Sequence, residues 1–372
     1  MRLAVLPSGH TGIVYVTRLE LVEFRNYAHA TFDLEDGVTA VLGRNVQGKT
    51  NFAEALAYLA TLASFRGAPP EAMIRVAADT AVVRATVCDA ERAVLIETEL
   101  SRTGRNRVQV NRQRLGRARD LLGVVRVSVF APDDLVIVKG APSERRRFLD
   151  DTLVALATKY DAARLELDRV VRQRNVLLKQ AGGRLTDELA ATLDVWDGRM
   201  AAVGDQFGHA RATLVARCQP MVTEAYADLS GVTSPVALEY EPEWRRVGLA
   251  AALAAARDDD VRRRVSTVGP HRDDVTIVLA GMPARTHASQ GEQRTLALAL
   301  RLAAHRLVAE RSGSTPVLVL DDVLSELDAE RAGALLANLP AGQVVITSAS
   351  PLPAVARPDR VLEISAGTVL VR

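Results

Sequence analysis

Apolar residues recur along the chain in two spacings, and both predict strands. Short apolar runs near the two chain ends, at Val38–Leu42, Val317–Asp322 and Val344–Ser348, predict buried strands. Alternating apolar and polar residues at Thr80–Val87 and Ala93–Leu100 predict an antiparallel sheet with one buried face. The pattern therefore predicts an α/β core that is built from both ends of the chain and carries an antiparallel β annex.

The middle of the chain has helical periodicity instead. The stretch Pro142–Ala181 is strongly helical, with Ser143 as its predicted N-cap and a pair of glycines after its end. Further helices are predicted at Thr186–Asp228 and Arg246–Val265, and a short strand at Val236–Tyr240 lies between them. These segments predict a helical domain inserted into the α/β core.

The predicted domain bounds follow from this change of periodicity. Residues 16–141 and 266–372 form the predicted core, residues 142–265 form the helical insertion, and residues 1–15 form a flexible tail. At 372 residues, the chain is long enough for two domains. Val16 is an alternative start of the protein, and with that start the tail would not belong to it.

The loop after Val38–Leu42 carries the clearest chemistry. It has the spacing GxxxxGK[ST] between a strand and a predicted helix at Asn51–Leu62, which is the context of a phosphate-binding loop. The glycines let backbone N–H groups wrap around phosphate oxygens, and the helix start adds unpaired N–H groups and a positive dipole end. Lys49 is predicted to reach the β- and γ-phosphates, and Thr50 to ligate Mg²⁺. The residues predicted to bind the nucleotide here are Gly43, Arg44, Asn45, Val46, Gln47, Gly48, Lys49 and Thr50.

Two acidic residues end the apolar strand near residue 320. Asp321 lies at the mouth of the strand, where a carboxylate can hold Mg²⁺ directly or through water. Asp322 is predicted to orient the water that attacks the γ-phosphate. The alternative is a helix cap or a solvated acid pair, which the presence of a phosphate loop disfavours. Asp321, Asp322 and Lys49 are the predicted catalytic residues.

A second helix start has two possible roles. Ser289 and Gly291 precede a predicted helix at Arg294–Glu310, about 30 residues before the acidic strand. Their hydroxyl and backbone groups suit a second phosphate receptor, which a chain needs mainly if it serves the nucleotide of a neighbour. Ser289 with Glu292 three residues later also has the spacing of a capping box. From this segment alone, the two interpretations are equally supported.

Composition indicates the class of protein and its compartment, but not the reaction that it carries out. The chain is 48% apolar and 25% charged, as in an ordinary globular protein. Its net charge of +2 does not indicate a nucleic-acid partner. The two cysteines, Cys88 and Cys218, are far apart and have no metal-ligand spacing, which favours a reducing compartment. No apolar run approaches the roughly 18 residues that a membrane span needs. We therefore expect a cytoplasmic protein without a membrane partner.

The order of phosphate loop, serine–glycine segment and Asp-Asp strand resembles the ATP-binding-cassette ATPases, and among them the SMC-like heads that act on DNA. The predicted fold is therefore an SMC-head-like ATPase core of the α/β class. More narrowly, the chain resembles the RecF family of recombination mediators from about Val16 onwards. The segments that carry this resemblance are Phe24–Tyr27, Pro132–Asp150, Arg172–Asn175, Gly269–Asp273 and Leu320–Leu335.

This resemblance implies an ATP-gated DNA clamp. Two chains would enclose two ATP molecules, each held by Lys49 and Thr50 of one chain and by Ser289 and Gly291 of the other. Members of the family act at junctions of single- and double-stranded DNA in gap repair, within the SOS-linked pathway. They work with RecR and RecO and help RecA to load. The implied ligands are thus ATP, Mg²⁺, DNA and a second copy of the chain.

Two departures from cassette ATPases modify this expectation. Asp322 stands where transporter-type cassettes have a glutamate, and its shorter arm predicts slow hydrolysis that suits a switch. No histidine follows the strand at Val344–Ser348, so Thr347 and Ser348 are the candidates for sensing the γ-phosphate. The alternatives are an SMC-like DNA tether, which the short insertion opposes, and an ATPase coupled to a nuclease or transporter. The sequence has no second acidic metal cluster and no membrane segment that would support the latter.

An arginine-rich stretch is the candidate DNA surface. Guanidinium groups on a hairpin suit phosphate contacts, which position a protein on DNA without reading its bases. A solvated hairpin in an arginine-rich protein remains an equally supported interpretation. The arginines are Arg102, Arg105, Arg107, Arg112 and Arg114, followed by Arg117 and Arg119.

Overall fold

The computed structural model describes residues 14–89 and 92–371, which divide into two compact units. The first unit contains the described residues up to 134 together with 227–232 and 298–371, and the second contains 135–226 and 233–297. The domain bounds expected from the sequence remain a prediction. Most of the expected tail, residues 1–13, lies outside the described residues.

The described residues contain fifteen strands, and all six strands predicted above are among them, with ends shifted by at most one residue. They are β1 (Tyr15–Phe24), β2 (Tyr27–Asp33), β3 (Val38–Leu42), β4 (Thr80–Cys88), β5 (Ala93–Ser101), β6 (Arg107–Val110), β7 (Gln113–Arg114), β8 (Val127–Phe130), β9 (Val236–Glu239), β10 (Thr276–Leu279), β11 (Met282–Pro283), β12 (Val317–Asp321), β13 (Val344–Ser348), β14 (Arg360–Ser365) and β15 (Thr368–Val371).

The helices are longest in the second unit. They are α1 (Lys49–Thr61), α2 (Pro70–Met73), α3 (Leu135–Lys139), α4 (Pro142–Leu156), α5 (Lys159–Gln180), α6 (Asp187–Ser230), α7 (Trp244–Val247), α8 (Leu249–Arg263), α9 (Ala284–His287), α10 (Gln290–Ser312) and α11 (Ala329–Ala337).

The first unit is built on two sheets. One has the order β15-β14-β3-β13-β12-β8, in which all neighbours are parallel except the edge pair β14–β15. The other is antiparallel, with the order β2-β1-β4-β5-β6-β7, and it is the predicted annex. The turn at Asp36–Gly37 connects the two sheets, because β2 and β3 belong to different sheets.

One apolar core serves both sheets and the first helix. Phe52, Leu56 and Leu59 on α1 are buried with Phe32 of the antiparallel sheet and Val319 of the parallel sheet. Parallel strands end at the same edge of their sheet, so the residues that follow β3, β12 and β13 come together there. In register, Asp321 of β12 lies beside Thr347 of β13. The start of α1 lies at this edge, because its loop follows β3.

In the second unit, the long predicted helix is interrupted. It divides into α4 and α5, since Ala157 and Thr158 fall between them. Ser143 is not the N-cap: Ala141 occupies that position without a side-chain bond, and Pro142 takes the first helical position. Proline fits there because its missing N–H has no helical partner in any case. A three-stranded antiparallel sheet, β11-β10-β9, accompanies the helices.

A buried ion network ties the helices of the second unit together. The Arg174 side chain is fully buried and donates to Asp197 at 2.6 Å, to Asp260 at 2.6 Å and to Ser266 at 2.9 Å. Asn175 accepts from the backbone N–H of Ser266 at 2.7 Å. Two residues of the Arg172–Asn175 segment therefore serve packing, and the guanidinium neutralises two acids that would be costly to bury alone.

Replacing Arg174 by methionine should strongly destabilise this unit, because it leaves Asp197 and Asp260 without their cation. We expect the free energy of unfolding to fall by about 3 kcal/mol or more. Both tryptophans of the chain, Trp196 and Trp244, lie in this unit, so urea unfolding followed by their fluorescence measures it. The matched control is Arg172→Met, an exposed arginine on the same helix. Equal losses in the two variants would contradict the assignment.

Candidate nucleotide site

The loop between β3 and α1 requires both of its glycines. A Cβ on Gly43 would lie 2.5 Å from the carbonyl oxygen of Ile364 in β14. Gly48 has φ 121°, and a Cβ there would lie 2.6 Å from the Tyr27 hydroxyl. The chain therefore passes so close to its neighbours at both positions that no side chain fits.

The amides of this loop have no acceptor among the described residues. Within the described residues, no backbone N–H from Asn45 to Thr50 donates to an acceptor of the protein. Gly48 precedes the helix without a side-chain cap, so the first N–H groups of α1 are also free. A row of free N–H donors at the start of a 13-residue helix fits an anion such as a phosphate chain.

Lys49 lies over the loop that it is predicted to serve. Its Nζ donates to the carbonyl oxygens of Gly43 at 2.6 Å and Arg44 at 3.0 Å, and the residue is 5% exposed. Burial lowers the pKa of Lys49, while Asp322 and Asp321 raise it. The ammonium group is thus held at the loop by two carbonyls, which a phosphate oxygen can replace as acceptor.

Asp321 joins the loop to the sheet. Its Oδ1 accepts from the hydroxyls of Thr347 at 2.8 Å and Thr50 at 3.3 Å. Burial raises the pKa of Asp321, and the two hydroxyl bonds act in the opposite direction. Both hydroxyls bond to Oδ1, and no described residue donates to Oδ2 of Asp321. One carboxylate oxygen is therefore left for another ligand.

Asp322 has an unusual backbone and an unpaired oxygen. Its φ is 53°, and its N–H donates to the Thr347 carbonyl at 3.2 Å and to the Thr347 hydroxyl at 3.0 Å. Its Oδ1 is buried, and no described residue donates to it. A buried carboxylate oxygen without a donor costs free energy unless a water, metal or ligand completes it.

These acids and Thr50 fit a Mg²⁺ ion that is held partly by phosphate oxygens. Hard oxygen donors are the ligands that Mg²⁺ takes, and it usually accepts few of them from the protein. Among the described residues, no cluster of three or more His, Cys, Asp or Glu side chains could hold a metal alone. The donor set therefore suits an ion that arrives with a phosphate chain.

Thr347 and Ser348, the candidate γ-phosphate sensors, have different surroundings. The Thr347 side chain is fully buried, and its hydroxyl is engaged by Asp321 and by the Asp322 amide. Ser348 accepts from the backbone N–H of Ser350 at 3.2 Å. Thr347 is thus occupied in orienting the two acids.

Val46 is a strained residue at the tip of the loop. It has φ 68° and is 97% exposed. A β-branched residue in this left-handed region is an outlier, and such conformations cost on the order of 1–3 kcal/mol. Spacing identified the loop but gave no sign of this strain.

The turn between β1 and β2 donates two hydrogen bonds to the phosphate loop, and the sequence did not predict this contact. Asn26 Nδ2 donates to the Gln47 carbonyl at 2.9 Å, and the buried Tyr27 hydroxyl donates to the Gly48 carbonyl at 2.9 Å. Asn51 Nδ2 in turn donates to Asn26 Oδ1 at 2.7 Å. The available signal was the Phe24–Tyr27 segment itself, which marked the family without showing what its side chains contact.

Ser289 and Glu292 form the capping box that their spacing allows. The Ser289 N–H donates to Glu292 Oε2 at 2.7 Å, and the Glu292 N–H donates to Ser289 Oγ at 3.3 Å. Ser289 is exposed, Gly291 is half-buried, and α10 begins between them. Both lie in the second unit, whereas the phosphate loop lies in the first.

The candidate DNA-binding arginines divide into two groups. Arg102 donates to three backbone carbonyls, those of Ile74, Arg75 and Ala78, so its guanidinium stabilises the annex. Arg107 lies 3.4 Å from Glu99 across the β5–β6 pair. Of the other candidates, Arg105, Arg112 and Arg114 are exposed and have no ion pair within the described ranges.

Comparison with known proteins first gives the class of this fold and site. A family model described as the RecF/RecN/SMC N terminal domain matches residues 15–365. The SMC head domain of Pyrococcus furiosus has a TM-score of 0.57 at 17% identity and covers 97% of this chain and 96% of its own, which shows the fold alone. The protein therefore has an SMC-head-like ATPase fold, and the predicted fold class is confirmed.

Closer relatives then identify the family. The chain is 43% identical over 352 residues to the DNA replication and repair protein RecF of Streptomyces avermitilis, covering 91% of this chain and 94% of the relative. It is 38% identical over 388 residues to RecF of Cutibacterium acnes, covering 96% and 98%. The chain belongs to the RecF family, as its signature segments predicted.

Solved structures of the family agree with this assignment. A structure of the recombination mediator protein RecF with ATP, in the RecFOR pathway, has a TM-score of 0.88 at 28% identity and covers 97% of this chain and 98% of its own. No helix within the described ranges is long and apolar enough to cross a membrane.

Replacing Asp321 by asparagine should stabilise the protein in the absence of nucleotide. The raised pKa means that the folded state holds its proton more tightly, so stability falls as pH rises from the ordinary pKa through the raised one. Asparagine keeps the acceptor for Thr50 and Thr347 and removes the buried charge. We expect a gain on the order of 1 kcal/mol at pH 7 that shrinks towards pH 4.

Thermal unfolding at several pH values checks this expectation. The control is Asp120→Asn, an exposed acid in the same unit. A loss of stability at pH 7, or a difference that does not vary with pH, would show that the Asp321 charge is not destabilising.

Proposed function

We propose that this protein is an ATP-dependent DNA-binding protein of recombinational gap repair. The observation that carries the proposal is the row of unpaired amides from Asn45 to Thr50, which ends beside Lys49 and the Thr50–Asp321 pair. The names of its relatives add DNA replication and repair, and the related RecF structure adds ATP.

In this proposal the loop amides and Lys49 bind the β- and γ-phosphates, while Thr50 and Asp321 hold Mg²⁺. When bound, Mg²⁺ neutralises charge on the phosphates during transfer. Lys49 exchanges the Gly43 and Arg44 carbonyls for phosphate oxygens. Asp322 accepts a hydrogen bond from the attacking water through its unpaired oxygen. Its short side chain makes hydrolysis slow, so the nucleotide acts as a switch.

The second phosphate receptor serves another copy of the chain. Ser289 and Gly291 of one copy contact the nucleotide that Lys49 and Thr50 of the other copy hold. The exposure of Ser289 supports this role, because an intermolecular contact needs an accessible hydroxyl. Binding of the γ-phosphate then stabilises the dimer, and hydrolysis releases it.

DNA binding, in the same proposal, uses the exposed arginines of the annex, Arg105, Arg112 and Arg114. They contact the backbone at a junction of single- and double-stranded DNA. The RecFOR name of the related structure suggests RecR and RecO as partners, with assistance to RecA loading as the outcome. A cytoplasmic location remains a prediction from the sequence.

Nucleotide should drive dimerisation. In an Asp322→Asn background, which slows hydrolysis, light scattering after gel filtration should detect a dimer with ATP and a monomer with ADP. Lys49→Met should abolish the dimer by removing ATP binding, whereas Ser289→Arg should abolish it and leave ATP binding by the monomer intact.

The matched control for Ser289→Arg is Thr186→Arg. Thr186 is also exposed before a helix, and its hydroxyl accepts from the Leu189 amide at 3.3 Å. Its substitution removes a similar cap and should leave the dimer unchanged. Loss of monomer ATP binding in Ser289→Arg would refute the shared site. An ATP-dependent dimer that ignores gapped DNA would favour the SMC-like tether instead.

DNA affinity should depend steeply on salt through the annex. Replacing Arg105, Arg112 and Arg114 together by alanine should lower the slope of log affinity against log salt by about 2 to 3, since each phosphate contact contributes about 0.7–0.9. Fluorescence anisotropy with a labelled gapped duplex measures this. The control removes three exposed arginines from the second unit, Arg172, Arg262 and Arg263. An unchanged slope in the annex variant would exclude this surface.

A further inference from the structure

The turn at Phe24–Tyr27 contacts only one side of the phosphate loop. Asn26 and Tyr27 donate to the carbonyls of Gln47 and Gly48, two consecutive peptide groups. Neither side chain contacts the N–H of these peptides. The contacts therefore select the orientation of two peptide planes rather than the position of the loop alone.

Peptide planarity converts this into an effect on the opposite side. In a trans peptide the C=O and N–H vectors point in nearly opposite directions, and the described residues contain no cis peptide bond. When Asn26 holds the Gln47 carbonyl, the Gly48 N–H must point away from Asn26. The Gly48 carbonyl differs, because it also accepts from the Phe52 N–H at 2.9 Å, so the helix orients the Lys49 N–H together with Tyr27.

The turn is itself rigidly held. Asn51 donates to Asn26, and Tyr27 packs edge-on to Phe32 with ring centroids 5.7 Å apart. Both groups lie close against Gly48, since a Cβ there would lie 2.8 Å from Asn26 Nδ2 and 2.6 Å from the Tyr27 hydroxyl. A side chain with so little freedom orients its partner without a large entropic cost.

Without Asn26, the Gln47 carbonyl would have no donor among the described residues and could rotate towards the phosphates, whose oxygens it would repel. Gly48 has φ 121° and no Cβ, so the Gln47–Gly48 peptide resists such rotation weakly. We infer that Asn26 is a positioning residue, which aims the Gly48 amide at a polyphosphate, while the Gly48 carbonyl is held by both Tyr27 and α1. This inference rests on the proposed nucleotide binding, and it assigns a role to the signature turn.

Asn26→Ala tests the inference, because it removes the donor to the Gln47 carbonyl. The affinity for ATP and for ADP should fall by about threefold to tenfold, the equivalent of one hydrogen bond. The control is Tyr58→Phe, which removes a buried hydroxyl in the same unit, from the side chain that faces Asn106. It should leave both affinities unchanged.

An amide signal distinguishes a change in the orientation of the Gly48 N–H from a general loss of structure. Gly48 and Gly291 alone follow a glutamine in the sequence, so ¹³C-carbonyl glutamine with ¹⁵N-glycine selects these two amides. At saturating ATP, the shift of the Gly48 signal should be smaller in Asn26→Ala than in the wild type and in Tyr58→Phe, with Gly291 as an internal reference in the monomer. Normal affinity and a normal Gly48 shift in Asn26→Ala would overturn the inference. Absence of ATP binding in the wild type would instead refute the proposed function.

Discussion

The hydrogen bonds that converge on Asp321 Oδ1 are the constraint on which this site depends. Thr50 comes from the helix after β3, Asp321 ends β12, and Thr347 lies in β13. One carboxylate oxygen thereby links three segments, and Thr50 lies 271 residues before Asp321 in the sequence. The link requires that the strands be parallel and in register, because otherwise their ends would not meet. The buried charge is costly, and the adjacent hydroxyls reduce this cost only in part.

Periodicity and spacing predicted most of this arrangement, because both are local properties. The apolar runs marked β3, β12 and β13, and the glycine spacing marked the phosphate loop. What they could not give is contact between distant side chains, such as Tyr27 with Gly48 or Thr347 with Asp322. Local competition was also missed: Ser143 has the chemistry of a cap, yet Pro142 begins the helix one residue earlier. Likewise, Arg102 has the charge of a DNA contact and is occupied by carbonyls.

Several family signatures prove to be folding elements. Arg145 forms a two-fold contact with Asp274, at 2.7 and 2.8 Å. Asp273 accepts from the hydroxyl of Tyr240 and the indole N–H of Trp244 inside the second unit. Buried charged groups tolerate little change, since removal of one partner strands the other. Such segments therefore identify a family very specifically, although they carry little of its chemistry.

The capping box at α10 leaves Ser289 able to make a further hydrogen bond. A hydroxyl has one donor and two acceptor positions, and the box uses only an acceptor position of Ser289. Its proton is left over, so the same atom can end a helix and donate to a ligand. Aspartate caps a helix equally well but has no proton to give and carries a negative charge. Helix capping and donation to a ligand thus permit different residue types at this position. The residues found there in related chains would show which of the two roles each lineage has kept.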